Sequence, residues 1–251
     1  MDSEFQNVYE DPVRADAYAS MDFPGSYYLA FRDMPEIIQS RVQGNAALDF
    51  GCGAGRSTRF LRNLGFHVAG VDISEAMLKI ARQRDPSGDY LHVVNGDLTG
   101  LKSQSYDLIL SAFAFDNIPD RDLRIHLLSE MRRLLSPSGI FVNLVSAPDI
   151  YFHEWVSFST QDFPANRAAV NGDRVRIVML DVEDRRPVVD VFCTDEEYRS
   201  LYHAAGLALE IRHQPLGRIS DPVTWKTECD VSPWSIYVLR PEVTATRRAE
   251  P

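Results

Sequence analysis

The chain has 251 residues, 45% of them hydrophobic and 25% charged, and a formal net charge of -10, enough apolar residue for one well-buried core with insertions and no extended disorder away from the ends. An acidic balance argues against a protein that grips DNA or RNA phosphates, which need a basic surface. Cys52, Cys193 and Cys229 are too few and too scattered for a disulfide framework or a zinc site, Met1-Asp2-Ser3-Glu4 is acidic where a signal peptide would be basic, and no apolar run reaches membrane-spanning length. The expectation is a cytoplasmic protein that binds neither nucleic acid nor membrane.

Residues 1–44 read as a helical N-terminal lid rich in aromatics: Phe5, Tyr9, Tyr18, Phe23, Tyr27, Tyr28 and Phe31. Most of these rings suit anchoring a peripheral helix pair on the core. Pro24-Gly25 breaks the segment just before Ser26, so Tyr27 and Tyr28 are placed to lean over a site as substrate contacts.

From Asn45 onward, short apolar runs alternate with helix patterns, the signature of βαβ units and a doubly wound, mostly parallel sheet. Strands are predicted at 46–50, 67–71, 90–94, 106–111 and 139–145, and helices at 57–63, 74–84 and 121–135, with Ser74 as an N-cap. The first strand runs through Asp49-Phe50 into Gly51, Gly53 and Gly55. A missing Cβ there lets the backbone bend tightly and a ligand come close. The following helix offers unpaired N–H groups to a negatively charged ligand group. Open sheets bind ligands at the carboxyl ends of their strands, near the switch in strand order, and the turn lies at that edge.

The next strand ends in Asp72, about twenty residues past the glycines, where a carboxylate takes both hydroxyls of a ribose. An exposed strand-end acid is the alternative. After the third strand, Asn95-Gly96-Asp97-Leu98 places a carboxylate within reach of an adenine amino group, or is ordinary turn chemistry. A dinucleotide fold wants G-x-G-x-x-G/A, with a small residue in the sixth place. Here that place holds Arg56 and the spacing is G-x-G-x-G, which disfavours NAD.

Taken together, these segments resemble the class I methyltransferases that use S-adenosylmethionine. Asp49-Phe50-Gly51-Cys52-Gly53-Ala54-Gly55 is similar to the family's first motif. Val71-Asp72-Ile73-Ser74 with Met77, then Gly96-Asp97-Leu98, resemble the second-strand and adenine-contacting segments. Residues 106–111 and 134–139 resemble the fourth-strand and fifth-strand motifs, so the match spans roughly residues 46–145 in the right order. The resemblance implies a seven-stranded Rossmann-like sheet, to which alternation further along the chain adds a β-hairpin insertion after the fifth strand. It implies that Asp49 and the backbone of Gly51, Cys52, Gly53 and Gly55, with Ser57 beside them, hold the methionine moiety of S-adenosyl-L-methionine. Asp72 would serve the ribose, Ile73 and Met77 the adenine faces, and Asp97 with the Leu98 amide its edge, with Ser74 a further cofactor-binding residue. Ser111, Ala112 and Phe113 would lie near the sulfonium. Cys52 fills a variable position and reads as a small filler. Because the methyl group is already activated, catalysis can rest on positioning in a dry pocket, with a base optional.

Acceptor contacts have to come from outside those motifs. After the fifth strand, residues 146–155 emerge at the ligand edge. His153 is the histidine placed to act as general base, with Trp155 beside it; the alternative is that both pack the lid on the core. Phe115 and Asn117 follow the fourth strand as further contacts. Asp116-Asn117 raises a divalent metal, but no second acidic cluster accompanies it, so a turn and no metal are expected. Residues 173–181 and 188–192 form a hairpin whose Arg174, Arg176, Arg185 and Arg186 meet an acidic substrate or another subunit, or simply face solvent. A helix then opens at Thr194, and two closing strands at 207–212 and 235–240 bracket a long link whose Trp225 and Glu228 are candidate substrate contacts.

The reading is one domain over 1–241: lid 1–44, cofactor-binding core 45–145, substrate-cap insertion 146–193, and C-terminal helix with closing strands 194–241, before a flexible tail at 242–251. Its expected function is methyl transfer from S-adenosylmethionine to a small-molecule acceptor, as a monomer or homodimer. The rival is the same cofactor site put to non-methylating use in a cyclase, decarboxylase or regulator; an NAD(P)-binding protein is the weaker alternative.

Overall fold

The computed structural model describes Ala19 and residues 23–242; Phe5, Tyr9 and Tyr18 of the expected lid, and residues 243–251 of the expected tail, lie outside that range. Two short helices, α1 (Ser26–Arg32) and α2 (Met34–Gln39), lead into β1 (Ala46–Phe50), α3 (Arg56–Asn63), β2 (His67–Asp72), α4 (Glu75–Arg84), β3 (Asp89–His92), β4 (Tyr106–Ala112), α5 (Arg121–Leu134) and β5 (Leu135–Ser146). An insertion carries β6 (Phe158–Ser159), β7 (Arg174–Met179) and β8 (Val188–Val191) before α6 (Asp195–Ala204), β9 (Leu207–His213) and β10 (Trp234–Pro241) close the chain. No helix among the described residues is long and apolar enough to cross a membrane.

Seven strands form one sheet in the order β3-β2-β1-β4-β5-β10-β9. β1 pairs in parallel with β2 and β4, whereas β10 runs antiparallel to both β5 and β9. The central strands are apolar almost throughout because both faces are covered. On one face Leu108, Leu110 and Val142 pack with Leu29, Ile38 and Leu61 of α1, α2 and α3. On the other, Leu48, Ile109 and Phe141 pack with Leu127 and Met131 of α5 and Tyr198 and Tyr202 of α6. The chain winds outward from β1 to β3 and then returns to β4, so order reverses between β1 and β4. That opens a crevice at their carboxyl ends.

Local signals explain most boundaries. Ser74, Asp120 and Thr194 cap α4, α5 and α6 by accepting the N–H of Met77, Leu123 and Glu197. β3 stops two residues short of expectation because Asn95 and Gly96 take positive φ, 53° and 73°, and turn the chain. The insertion folds as a three-stranded antiparallel sheet, β6-β7-β8. Its β7 alternates, with Val175, Ile177 and Met179 inward and Arg174 and Arg176 in solvent. Arg185 donates to the Met179 carbonyl and Arg186 pairs with Asp184. None of these four arginines lines the crevice.

The lid helix α1 is fastened by a buried polar clamp. Glu228, fully buried, accepts through Oε1 from the Ser26 hydroxyl (2.5 Å) and the Val156 N–H (2.8 Å), and through Oε2 from the Lys226 N–H (3.0 Å). The Ser26 N–H donates to Ser157 Oγ, and Trp234 Nε1 donates to the Ser26 carbonyl. Glu228 therefore joins the lid, the insertion and the β9–β10 link, and does not reach the crevice. Glu228→Ala strands one buried donor and two partly buried ones and is expected to cost about 2 kcal/mol, read as a lower denaturant midpoint; Glu228→Gln, which keeps Oε1, should cost less.

Candidate cofactor and acceptor site

The turn from β1 to α3 is built around backbone that side chains would block. Gly51 and Gly53 have φ of 70° and 52°. A Cβ on Gly51 would lie 2.5 Å from the Ala114 side chain, and one on Gly53 3.1 Å from Met77 Cε. The N–H groups of Gly51 and Cys52 both donate to the Val71 carbonyl (2.9 and 3.0 Å). Asp72 completes the fastening. Its Oδ2 accepts from the Gly53 N–H (2.7 Å) and its Oδ1 from the Ser74 N–H (2.8 Å). Burial raises the Asp72 carboxyl against these bonds.

Beneath the turn, Asp49 is fully buried and its Oδ2 accepts from Ser57 Oγ (2.7 Å) and Thr58 Oγ1 (2.6 Å). Burial pushes its carboxyl up to about 6. Among the described residues, Asp49 Oδ1 and Ser111 Oγ have no hydrogen-bond partner. Both atoms lie below the carboxyl ends of β1 and β4, and neither residue lines the cavity above them; Arg124 Nη2 and Asn143 Oδ1 are unpartnered in the same way.

A cavity of about 970 Å³ opens over the turn, a volume near the top of the usual range for small-molecule sites. It brings together eleven of the residues predicted from sequence: Gly51, Cys52, Gly53 and Ser57; Asp72, Ile73 and Met77; Ala112, Phe113 and Asn117; and Tyr27. Phe113 holds a left-handed φ of 66°, a strained conformation for a bulky residue that presents it at the end of β4. Its ring lies 5.7 Å from Tyr27 and 4.8 Å from Trp234. Phe158 completes this aromatic wall, 5.3 Å from Tyr27 and 5.5 Å from Trp234. The Arg56 guanidinium sits 4.9 Å from the Tyr27 ring centroid, a use for the residue that breaks the dinucleotide spacing.

Other expected site residues fall elsewhere. His153 lies on the rim in a separate depression of about 240 Å³ with Phe152 and Glu154, because the turn Pro148–Tyr151 points Ile150 and Tyr151 inward and carries the next residues past the cavity. It is not placed as a base there. Trp155 is fully buried and donates through Nε1 to the Ile150 carbonyl. Phe115 packs between Phe50 and Phe141 in the opposite core. Tyr28 and Trp225 pack on one another, 6.4 Å apart, outside the cavity. Leu98 is buried in the core, and Asp97 is exposed with its Oδ1 turned onto Thr99; the cavity is lined instead by Asn95 and Gly96. Gly55, Ser74 and Ser111 shape the turn and strand ends without lining the cavity.

Sequence reading missed the opposite wall: Phe158, Trp234, Asp116 and Asp190. Asp116 is on a turn, as expected, but is buried and accepts the Ser146 N–H at 3.0 Å. Burial pushes its carboxyl up to about 6; burial and the neighbouring Asp116 charge push Asp190 up to about 8. The available signal was alternation, since Asp190 shares the inward face of β8 with Val188. No group of three or more His, Cys, Asp or Glu side chains suited to a metal occurs among the described residues.

A doubly wound sheet with a glycine turn and a ribose-height acid at its switch point defines a nucleotide-type cofactor protein. Comparisons narrow this. Residues 48–143 match the family model of the methyltransferase domain. The chain is 31% identical over 153 residues to the demethylmenaquinone methyltransferase of Staphylococcus haemolyticus, covering 48% of this chain and 63% of that protein. It is 28% identical over 148 residues to an uncharacterized methyltransferase of Oceanobacillus iheyensis, covering 57% and 67%. The match thus spans less than two thirds of the first of these relatives. The fold is shared with the CcbJ methyltransferase of Streptomyces caelestis (TM-score 0.61, 19% identity, 91% of this chain and 96% of that one) and with DesVI of Streptomyces venezuelae (TM-score 0.63, 20%, 91% and 98%). Residues 48–143 thus carry the match to a methyltransferase domain, within a fold shared with solved S-adenosylmethionine-dependent methyltransferases.

S-adenosylmethionine is the cofactor this domain implies, and the residues suit it: two positive-φ glycines that bring backbone to the cavity and a carboxylate on the cavity wall. Asp72 Oδ1 and Oδ2 accept the Ser74 and Gly53 N–H groups, and the carboxylate has acceptor capacity beyond its backbone bonds. Asp72→Ala is expected to weaken S-adenosylhomocysteine binding by about 1–3 kcal/mol, measured by calorimetry.

Proposed function

We propose that the chain transfers the methyl group of S-adenosylmethionine to a small-molecule acceptor held in the same cavity. The observation that carries this reading is the continuity of one cavity from the glycine turn and Asp72 to the aromatic wall of Tyr27, Phe113, Phe158 and Trp234. When bound, the cofactor supplies a methyl group on a positively charged sulfur. The backbone of Gly51 to Gly53 holds its methionine end, Asp72 accepts from its ribose hydroxyls, and Ile73 and Met77 cover its adenine. The aromatic wall excludes water and faces positive charge with ring π-clouds. Catalysis then rests on holding acceptor and methyl in line.

The family match ends at residue 143, and the insertion that supplies Phe158, Ile177, Met179 and Asp190 lies beyond it. The acceptor of the demethylmenaquinone relatives is therefore not carried over to this chain. The test is incubation with S-adenosylmethionine carrying a labelled methyl group and a small-molecule extract. The expected result is a labelled product and S-adenosylhomocysteine in equal amounts. Cofactor binding without any labelled product would favour non-methylating use of the site, and preferential binding of NAD(P) in calorimetry would refute the cofactor assignment.

A further inference from the structure

The wall of the cavity contributed by the insertion carries a carboxyl that the cofactor cradle does not use. Asp190 is only 7% exposed and lines the cavity. The Tyr151 hydroxyl donates to its Oδ2 at 3.0 Å, and no donor among the described residues reaches its Oδ1. Its neighbour Asp116 is differently supplied. That carboxyl accepts the Ser146 N–H and the Tyr198 hydroxyl, and the Arg124 guanidinium lies near enough to offset its charge. Tyr151, Tyr198, Cys193 and the Ser146 hydroxyl complete the surrounding titratable and polar groups, and none of them brings a positive charge to Asp190. Two carboxyls share one low-dielectric wall, and the Arg124 guanidinium offsets the charge of Asp116 alone. A second ionised carboxylate there requires a cation from outside.

The geometry points to an acceptor that supplies this cation: a small molecule with a basic primary or secondary amine, docked as its ammonium on Asp190 Oδ1 in the cavity that Tyr27, Phe113, Phe158 and Trp234 wall. Burial and the Asp116 charge hold the resting Asp190 carboxyl toward its protonated form, so docking an ammonium on the carboxylate releases a proton to solvent. For transfer, the Asp190 carboxylate takes one N–H proton and frees the nitrogen lone pair. The lone pair forms the N–C bond while the C–S bond breaks and its electron pair stays on sulfur. The product departs as the methylated ammonium and leaves Asp190 protonated, as it began. Asp190 thus selects for nitrogen and acts as base, a role for which His153, in its separate depression, is not placed.

This inference rests on the methyl-transfer reading, and the experiment separates the two. The full chain, saturated with S-adenosylhomocysteine, is titrated calorimetrically at neutral pH with two matched probe pairs, phenethylamine with phenethyl alcohol and hexylamine with hexanol, in buffers of different ionisation enthalpy. The wild type should bind at least one amine about tenfold or more tighter than its alcohol, releasing close to one proton. Asp190→Asn keeps the shape and a partner for Tyr151; it should bind S-adenosylhomocysteine normally yet lose both the preference and the proton release. Absence of preference in both pairs, or preference and proton release surviving in Asp190→Asn, overturns the proposal. Failure of the wild type to bind S-adenosylhomocysteine would refute the underlying cofactor reading, and the amine site with it.

Discussion

The Asp72 carboxylate ties the site together. Its two oxygens take the N–H of Gly53 and of Ser74, so one side chain binds the loop after β1 to the start of α4. Without it, the positive-φ turn would keep its bonds from Gly51 and Cys52 to Val71 and from Gly55 to Cys52, but nothing would tie Gly53 to α4. The same carboxylate stands on the cavity wall, where its remaining lone pairs face a ligand. A single half-buried acid therefore sets both the shape of the cradle and its chemistry, and backbone N–H groups, including that of Ile73, offset part of the cost of removing it from water.

Around that pin the chain builds a second wall from parts distant in sequence. Ser26, Ser157 and Glu228 are 131 and 202 positions apart, yet their hydrogen bonds lock α1 over the insertion. Tyr27 reaches the cavity because its neighbour Ser26 is clamped there. Its hydroxyl donates to Met179 Sδ at 3.5 Å, so lid and hairpin meet across the cavity. Cradle and cap differ in kind: the first is made of backbone groups at strand ends, the second of side chains whose identity is free to vary with the ligand.

What was legible in the sequence follows the same division. The glycine spacing, the Ser74 and Thr194 caps and the alternation of apolar runs are local signals, and each predicted its element within a few residues. His153, Trp155 and Phe115 were misplaced because facing depends on the turn that precedes each residue: Pro148–Tyr151 rotates His153 outward and Trp155 into the core. Asp97 followed a motif position, but the left-handed Asn95 and Gly96 turn the backbone so that they line the cavity in its place. Asp190 and Glu228 were illegible as to role because their partners, Tyr151 and Ser26, lie 39 and 202 residues away. A charged residue at the inward register of a hairpin was the one local clue.

The most direct measurement is a crystal structure with S-adenosylhomocysteine bound. It should show the homocysteine end along Gly51 to Gly53, the ribose hydroxyls on Asp72 and the adenine against Ile73 and Met77, with the sulfur facing Phe113 and open space toward Asp190. A complex in which Asp72 makes no contact with the ribose, or in which the ligand occupies the Trp234 and Asp190 half of the cavity, would contradict it.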